Sequence, residues 1–540
     1  MTDRIARASL FLASGTIVSR ILGFLKAIVL AATIGVVGSA SADAFAVANG
    51  LPNTVYVIVA GGVLSAVLVP QIVRAATHED GGAAYINKLV TLALVVIGAA
   101  TLVATALAPL LAWIYGGNFP PDTLALATAF AFWCLPQIFF YGLYTLLGEV
   151  LNARRSFGPF TWVPVLNNVV ALLGLVAFGV LFGFDPTGSR TADEWTPGMI
   201  ALLAGSATLG IVAQAVVLFW FWGRIGLRYR PDFRWRGVGL RSAGRMAGWT
   251  FGMLLLTTLA GIVQTRVVSE ASGYGASVAA TDAAWLIFML PHSVITVSIA
   301  TAYFTRMSEH ARDGLLDRVR QDLSGAVRGV GLILTLASAV LVVVAYPFAA
   351  VFQPGNFTSV SALGNVIAAF ALGLVAFSVL FVVQRTFYAL GDTRTPFLFT
   401  LVQVIVFSIA ALACLLFLPR EWIAVGVALS TTVAVVIQLG LAVALLRPKL
   451  GTLDGRRVVV SLARDLGAVI VPVAAGFATL WAFGGFREGG FAIADRWSAI
   501  VVMAIVGSVM ALLYGGILWL LRSPELRGFV APALERLRRR

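Results

Sequence analysis

Residues 14–35 read SGTIVSRILGFLKAIVLAATIG; GSASA follows at 38–42, and residues 43–74 read DAFAVANGLPNTVYVIVAGGVLSAVLVPQIVR. A transmembrane helix needs about 20 predominantly apolar residues, and each half of this stretch supplies them. Yet the first half carries Arg20 and Lys26 inside its apolar run, and the second opens on Asp43. A charge near the centre of a bilayer costs ~2.5–3.5 kcal/mol on insertion scales, so such residues usually face a bundle interior or a wet cavity. Gly15, Gly23, Gly35, Gly50, Pro52, Gly61 and Gly62 punctuate both halves. Interrupted helices of this kind line substrate paths in transporters.

The whole chain has the same character. Of its 540 residues 60% are hydrophobic and only 11% charged, and the mean hydropathy is +0.95. A soluble chain carries about 25% charged residues, so the composition predicts an all-α polytopic membrane protein. The net charge of +14 does not indicate nucleic acid, because the basic residues sit in short loops between apolar runs, where they set topology and meet anionic lipid. Cys134 and Cys414 lie far apart in apolar segments and read as small buried hydrophobes; His78, His292 and His310 have no metal spacing. No nucleophile–histidine pair, phosphate loop or acidic metal pair is present, so neither an enzyme nor a metal or cofactor site is expected. Arg4 and Arg7 before an apolar run imitate a signal peptide, but the run is too long and is broken by Arg20 and Lys26, so it reads as a retained first helix.

The length criterion gives about fourteen spans: 9–37, 44–73, 86–115, 123–152, 159–183, 197–223, 243–272, 280–306, 325–352, 359–390, 395–418, 422–446, 463–484 and 497–521. Alternate loops are basic, which predicts both termini cytoplasmic. Arg420, Arg487 and Arg496 break the pattern, each beside a carboxylate. The chain also repeats. Tyr115-Gly-Gly-Asn118-Phe119 recurs as Gln353-Pro-Gly-Asn356-Phe357, and Arg154 to Pro159-Phe160 recurs as Arg394 to Pro396-Phe397. The copies have the same phase, so the repeats are parallel. The expected organisation is a six-helix lobe over 1–223, a basic linker over 224–242, a second six-helix lobe over 243–446, and two further helices with a short basic tail over 447–540. The two lobes are expected to surround a central cavity.

Ser19-Arg20-x-x-Gly23-Phe24-x-Lys26, then Asp43-Ala-Phe45, Leu51-Pro52-Asn53 and Val69-Pro70 resemble the first two helices of the MurJ/MviN family, in the MATE-like superfamily. The likeness continues along most of the chain, including the arrangement of two lobes plus a terminal pair. The resemblance implies a lipid II flippase of bacterial cell-wall synthesis, a multi-pass plasma-membrane protein working by alternating access. Its substrate would be an undecaprenyl-diphosphate lipid bound by interior cations. Two other functions remain open at this point. One is a flippase for another undecaprenyl-linked oligosaccharide. The other is a non-transporting scaffold paralogue that recruits cell-wall synthesis or division proteins. A MATE-like exporter of cations would want interior carboxylates, and this interior is cationic.

Five residues are candidates for substrate binding. Arg20 matches a family arginine needed for flipping, and its fork suits a diphosphate; the alternative is a buried ion pair. Lys26 stands where the family commonly has a second arginine, and Ala27 where it has an aspartate. Asp43 matches a family aspartate, with a simple N-cap as the alternative. Arg266 lies inside the seventh span without a family counterpart, and a pair with Glu270 one turn on is equally open. Arg385 in the tenth span is the last, with snorkelling at a helix end as its alternative. Arg20 and Arg266 are expected to share one head group. The chain departs from the family at Asn53-Thr-Val-Tyr56, at Gly61 and within Trp285–Pro291, where charged residues are lost. A coupling-ion site would fall near Gln403, Ser430, Thr431 and Thr432, which include no carboxylate, so sodium coupling is not expected.

Overall fold

In hydrocarbon, every backbone N–H and C=O must be satisfied within its own segment, which leaves helices or closed barrels as spanning structures. The computed structural model describes residues 2–59, 83–154, 157–224, 229–234 and 244–528, and among them every regular element is helical. Thirteen helical runs are long and apolar enough to cross a membrane. They match thirteen of the fourteen predicted spans. The remaining span, 44–73, is described only as far as Val59, and residues 60–73 lie outside the described residues, as do most of the 224–242 linker and the tail beyond 528.

The chain divides into two compact units, one ending at Gly273 and the other starting at Tyr274. The first holds α1 (Thr2–Ile34), α2 (Ala40–Val59), α3 (Ala83–Ala106), α4 (Ala108–Gly116), α5 (Pro121–Cys134), α6 (Gln137–Ala153), α7 (Phe157–Phe182), α8 (Pro197–Arg224) and α9 (Gly244–Val268). Within it α7 packs along both α8 and α1, α2 lies on α5, and α9 lies against α4 and α2. The seventh span thus belongs to the same compact unit as the six before it.

The turn between α1 and α2 shows why the sequence stops and restarts the helix there. Gly35 takes φ +78°, and a Cβ on it would stand 2.7 Å from Cα of Gly188, so only glycine fits. Ser39 is the N-cap of α2: its Oγ donates to the Ile34 carbonyl at 2.6 Å and accepts from the Ala42 N–H at 3.1 Å. The 183–196 loop closes over this turn. Asp185 accepts from the Ser189 and Arg190 N–H groups at 3.0 and 2.8 Å. Burial opposes its charge, but these bonds and the Thr187 and Ser189 hydroxyls hold its carboxyl below the usual range. The described part of the linker is pinned as well: the Asp232 N–H donates to Thr91 Oγ1 of α3 at 3.0 Å.

The second unit holds α10 (Val278–Pro291), a π turn (His292–Thr296), α11 (Val297–Arg312), α12 (Leu316–Val343), α13 (Ala345–Phe352), α14 (Phe357–Ala371), α15 (Leu374–Ala389), α16 (Arg394–Phe417), α17 (Arg420–Leu450), α18 (Gly455–Ala468), α19 (Ile470–Ala482), α20 (Phe491–Ala494) and α21 (Arg496–Leu520). The repeat read from the loops recurs in the helix breaks. The third span of each copy is interrupted, at Leu107 between α3 and α4 and at Val344 between α12 and α13, 237 residues apart (344 − 107). The fourth is interrupted between α5 and α6 and between α14 and α15, where the C-caps Leu135 and Leu372 have the same offset (372 − 135).

The last two spans are fastened to α12. Leu332 of α12, Ala468 and Val469 at the α18–α19 junction, and Tyr514 and Leu518 of α21 form one apolar cluster. The Tyr514 hydroxyl donates to the Leu332 carbonyl at 3.0 Å. At the end of this seam Glu525 accepts from Arg328 at 2.6 Å and from Arg464. The three basic residues outside the alternating pattern are also fastened. The Arg420 guanidinium lies 4.8 Å from the Tyr274 ring centre, that of Arg487 5.5 Å from Trp481, and Arg496 Nε donates to the Val351 carbonyl.

Glu525 carries a test of this seam. Burial disfavours its charge, but the Arg464 hydrogen bond, its own backbone N–H and Arg328 outweigh that and hold the carboxyl down at about 2, against an ordinary 4.5. A depressed carboxyl contributes stability that is present above pH 4.5 and lost as pH falls toward 2. Glu525→Gln takes the shared anion from the partly buried Arg328 and Arg464 and leaves Arg464 only its longer 3.5 Å contact with Asp465; breaking a buried pair costs up to about 3–5 kcal/mol. We expect a lower thermal transition for the purified variant at neutral pH and a smaller gap from the parent in acid. Equal transitions at neutral pH would refute the role.

Candidate functional site

The polar interior of the first unit is built on α1. Asn168 of α7 donates to the Ser19 carbonyl at 2.9 Å and lies against Gly23, 3.8 Å from where a Cβ would stand, so the two helices approach closely beside the charged residues. Beyond this contact Lys26 lines a cavity of about 90 Å³, with Asn49 of α2, Gln137 and Tyr141 of α6, Asn167 of α7 and Ser206 of α8. No carboxylate lines it. The Gln137 amide donates to the Thr208 hydroxyl at 2.9 Å, which in turn donates to the Trp133 carbonyl at 2.7 Å. Gly210 makes room for the opposite wall, since a Cβ there would stand 2.4 Å from Asn167 Oδ1. The remaining wall is apolar, with Leu30, Phe45 and Leu175 among its residues; a lysine facing neutral amides and hydroxyls there, with no carboxylate in the lining, makes a site that an anion complements.

Arg20 sits on an exposed stripe of α1 with Ile17, Ile21 and Leu25. It is the one charged residue among these four. Asp43 is fully buried in the first turn of α2. The cap there is Ser39, which corrects the N-cap alternative, and the Asp43 carboxylate instead accepts from the Ser272 hydroxyl at 2.7 Å. Ser272 follows α9, so this bond ties the end of the seventh span to the start of the second.

Arg266 serves the same junction. Its Nη1 donates to the Trp113 and Ile114 carbonyls, at 3.0 and 3.3 Å, in the last turn of α4. A cation belongs at that helix end, where the dipole is negative. The guanidinium also lies 4.6 Å from the Trp113 ring centre, and Asn118 donates back to the Arg266 carbonyl at 2.9 Å. Arg20 stands on α1, which packs mainly along α7 and also touches α2, and Arg266 on α9, which packs on α4 and α2.

Arg385 belongs to the second unit. Its guanidinium lies over Phe381 of its own helix, at 4.9 Å, and Phe304 of α11, at 5.5 Å. Phe381 also packs edge-on to His292, whose Nδ1 is 3.0 Å from the Ser378 hydroxyl. In the stretch considered for a coupling ion, the Ser430, Thr431 and Thr432 hydroxyls donate to the carbonyls of Gly426, Val427 and Ala369, at 2.8, 3.0 and 3.2 Å. Among the described residues no group of three His, Cys, Asp or Glu could hold a metal.

Sequence reasoning missed the cavity walls. Gln137, Asn167 and Ser206 are ordinary polar residues in apolar spans. The available signal was their recurrence on three successive spans that must each bury a polar group.

Comparison with known proteins places this architecture. The family described as Lipid II flippase MurJ matches residues 30–494, a range that includes Asp43, Arg266 and Arg385 and begins just after Lys26. A probable lipid II flippase MurJ of Rhizobium tropici is 28% identical over 422 residues, 74% of each chain. That of Rickettsia prowazekii is 26% identical over 451 residues, 81% of this chain and 82% of the relative. A solved lipid II flippase MurJ in an inward closed conformation superposes with a TM-score of 0.72 at 18% identity, over 94% of this chain and 99% of that one. An inward-facing MATE family transporter of the MOP superfamily superposes at 0.65 and 14% identity, over 81% and 96%. These two likenesses establish the shared fold; the match over most of the chain establishes more, and the chain belongs to the lipid II flippase MurJ family.

Proposed function

We propose that this chain moves lipid II from the inner to the outer leaflet of the bacterial plasma membrane by alternating access. The match to the MurJ family over residues 30–494 carries the reading. The cavity chemistry supports it, because an anionic diphosphate is the complement of a lysine in a cavity whose other polar walls are amides and hydroxyls without a carboxylate. The carboxylate that a cation exporter would need is missing from that wall. Two units that are each compact within themselves suit rigid-body rocking.

In this reading Arg20 and Lys26 meet the head group. An arginine facing lipid would carry the insertion penalty of ~2.5–3.5 kcal/mol, so the Arg20 stripe turns toward a polar path. Asp43 and Arg266 hold the end of α9 onto α2 and α4, and Arg385 guards the aromatic wall of the second unit. Both termini lie in the cytoplasm, and the undecaprenyl tail stays in lipid throughout.

The experiment is complementation: deplete the host flippase, express the chain, and measure lipid II in the outer leaflet. Losing one desolvated charged contact costs about 2–5 kcal/mol, a tenfold or larger effect. Arg20→Ala and Lys26→Met should each lower flipping at least about tenfold at unchanged expression. Arg20→Lys should recover only part, because the bidentate fork is gone. Wild-type flipping by Arg20→Ala and Lys26→Met would sink the assignment of the head group to these residues.

Orientation has its own test. Cysteines at the exposed positions Asp193 and Glu488 should react with a membrane-impermeant reagent in intact cells, and those at Asp313 and Arg394 only after lysis. Labelling of all four in intact cells would overturn the topology.

A further inference from the structure

A second cation-lined cavity lies in the other unit, outside the machinery described above. Its volume is about 880 Å³, and it is enclosed by the start of α12, the end of α17, the 451–454 turn and the start of α18. Four arginines line it, Arg320, Arg447, Arg456 and Arg457, against two carboxylates, Asp317 and Asp454. Both carboxylates are engaged. Asp317 is bound by Arg320, and Asp454 accepts from the Ser324 hydroxyl at 2.7 Å. Arg447, Arg456 and Arg457 are exposed and form no ion pair among the described residues. Arg320 also keeps a buried Nε that has no hydrogen-bond partner. The cavity therefore holds a surplus of guanidinium forks. It also holds the first turn of α18, whose N-cap Asp454, at φ 51°, makes no side-chain cap to it. Forks and free helix N–H groups together are a phosphate environment.

The surroundings identify where the phosphate comes from. From the arginine turn, α18 and α19 run on with Val459, Val460, Leu466, Ile470 and Val471 at 55–66% exposure, an apolar track for acyl chains. A free anion would gain nothing from that track, whereas a phospholipid uses both parts. We propose that this cavity binds the head-group phosphate of an anionic bilayer phospholipid, with its tails along α18 and α19. The lipid anchors the start of α18 at the membrane surface, next to the α12 seam. Basic pockets between transmembrane helices take anionic head groups in this manner.

The test uses the full chain purified in detergent, with lipid binding followed by native mass spectrometry. Phosphatidylglycerol and phosphatidylcholine of equal chain length are compared. The parent should bind phosphatidylglycerol at least about tenfold more tightly. The triple variant Arg447→Gln, Arg456→Gln, Arg457→Gln should lose that preference while keeping its thermal transition, since none of the three is ion-paired. Arg312→Gln, Arg318→Gln, Arg394→Gln removes the same charge elsewhere and should retain the preference. Millimolar inorganic phosphate should leave the lipid bound. A preference that survives the first triple, or that is lost equally in the second, overturns the site. Displacement of the lipid by inorganic phosphate overturns the lipid assignment and makes the cavity a soluble-phosphate site.

Discussion

A charge placed in hydrocarbon without company costs ~2.5–3.5 kcal/mol, and the way each intramembrane charge is accompanied organises this protein. Asp43 is met by the Ser272 hydroxyl. Arg266 is met by the last carbonyls of α4 and the face of Trp113. Arg385 lies on Phe381 and Phe304. Arg328 and Arg464 converge on Glu525. Each of these charges has a companion within the protein. Lys26 is the exception in kind: it lines a space walled by amides, hydroxyls and apolar side chains, without a carboxylate. A ligand can add a negative charge there without displacing an existing anion.

The same intolerance governs the backbone. A span that breaks must satisfy the freed groups locally. The third and fourth spans of each repeat break at matching places. Where α5 gives way to α6, the Leu135 N–H still donates to Ala131, that of Ile138 to Leu135 and that of Phe139 to Pro136, so these donors are satisfied within the bend. Where α14 gives way to α15, Leu372 and Gly373 donate to Ala368 and Phe370 in the same manner. Breaks that recur at a constant offset, in sequences that have otherwise drifted, mark bends that the fold needs.

Much of this was legible in the sequence because membrane insertion writes in long apolar runs and in loop charge. Thirteen of fourteen spans followed from the apolar runs, and the repeat from the recurring Gly-Asn-Phe and Pro-Phe motifs. The charged residues were legible too, since Arg20, Lys26, Asp43, Arg266 and Arg385 stand out in apolar text. Their partners were not. Ser272 is 229 residues from Asp43, and the partners of Arg266 are backbone carbonyls more than 150 residues away, which carry no side-chain signature. Ser39 took the cap that Asp43 could have filled, because the turn at Gly35 brings its hydroxyl to Ile34 and Ala42 at once. The cavity of the second unit was hidden for a similar reason. Its arginines read as three ordinary basic loop ends until the fold sets α12, α17 and α18 side by side.

The two cavities also differ in what their cations can do. An arginine needs room for a planar fork, whereas an ammonium is compact and carries three rotatable donors. The space at Lys26 is about 90 Å³, against about 880 Å³ for the cavity of the second unit. The lysine sits among α2, α6, α7 and α8, and in the proposed reading the head group meets it as those helices part or as the side chain swings out beside Arg20. Substituting lysine for the arginine common in the family at this position suits a retracted charge better than a fixed fork. In the wide cavity of the second unit Arg447, Arg456 and Arg457 are already exposed. Binding there needs no opening, which fits a resident lipid rather than a transported one.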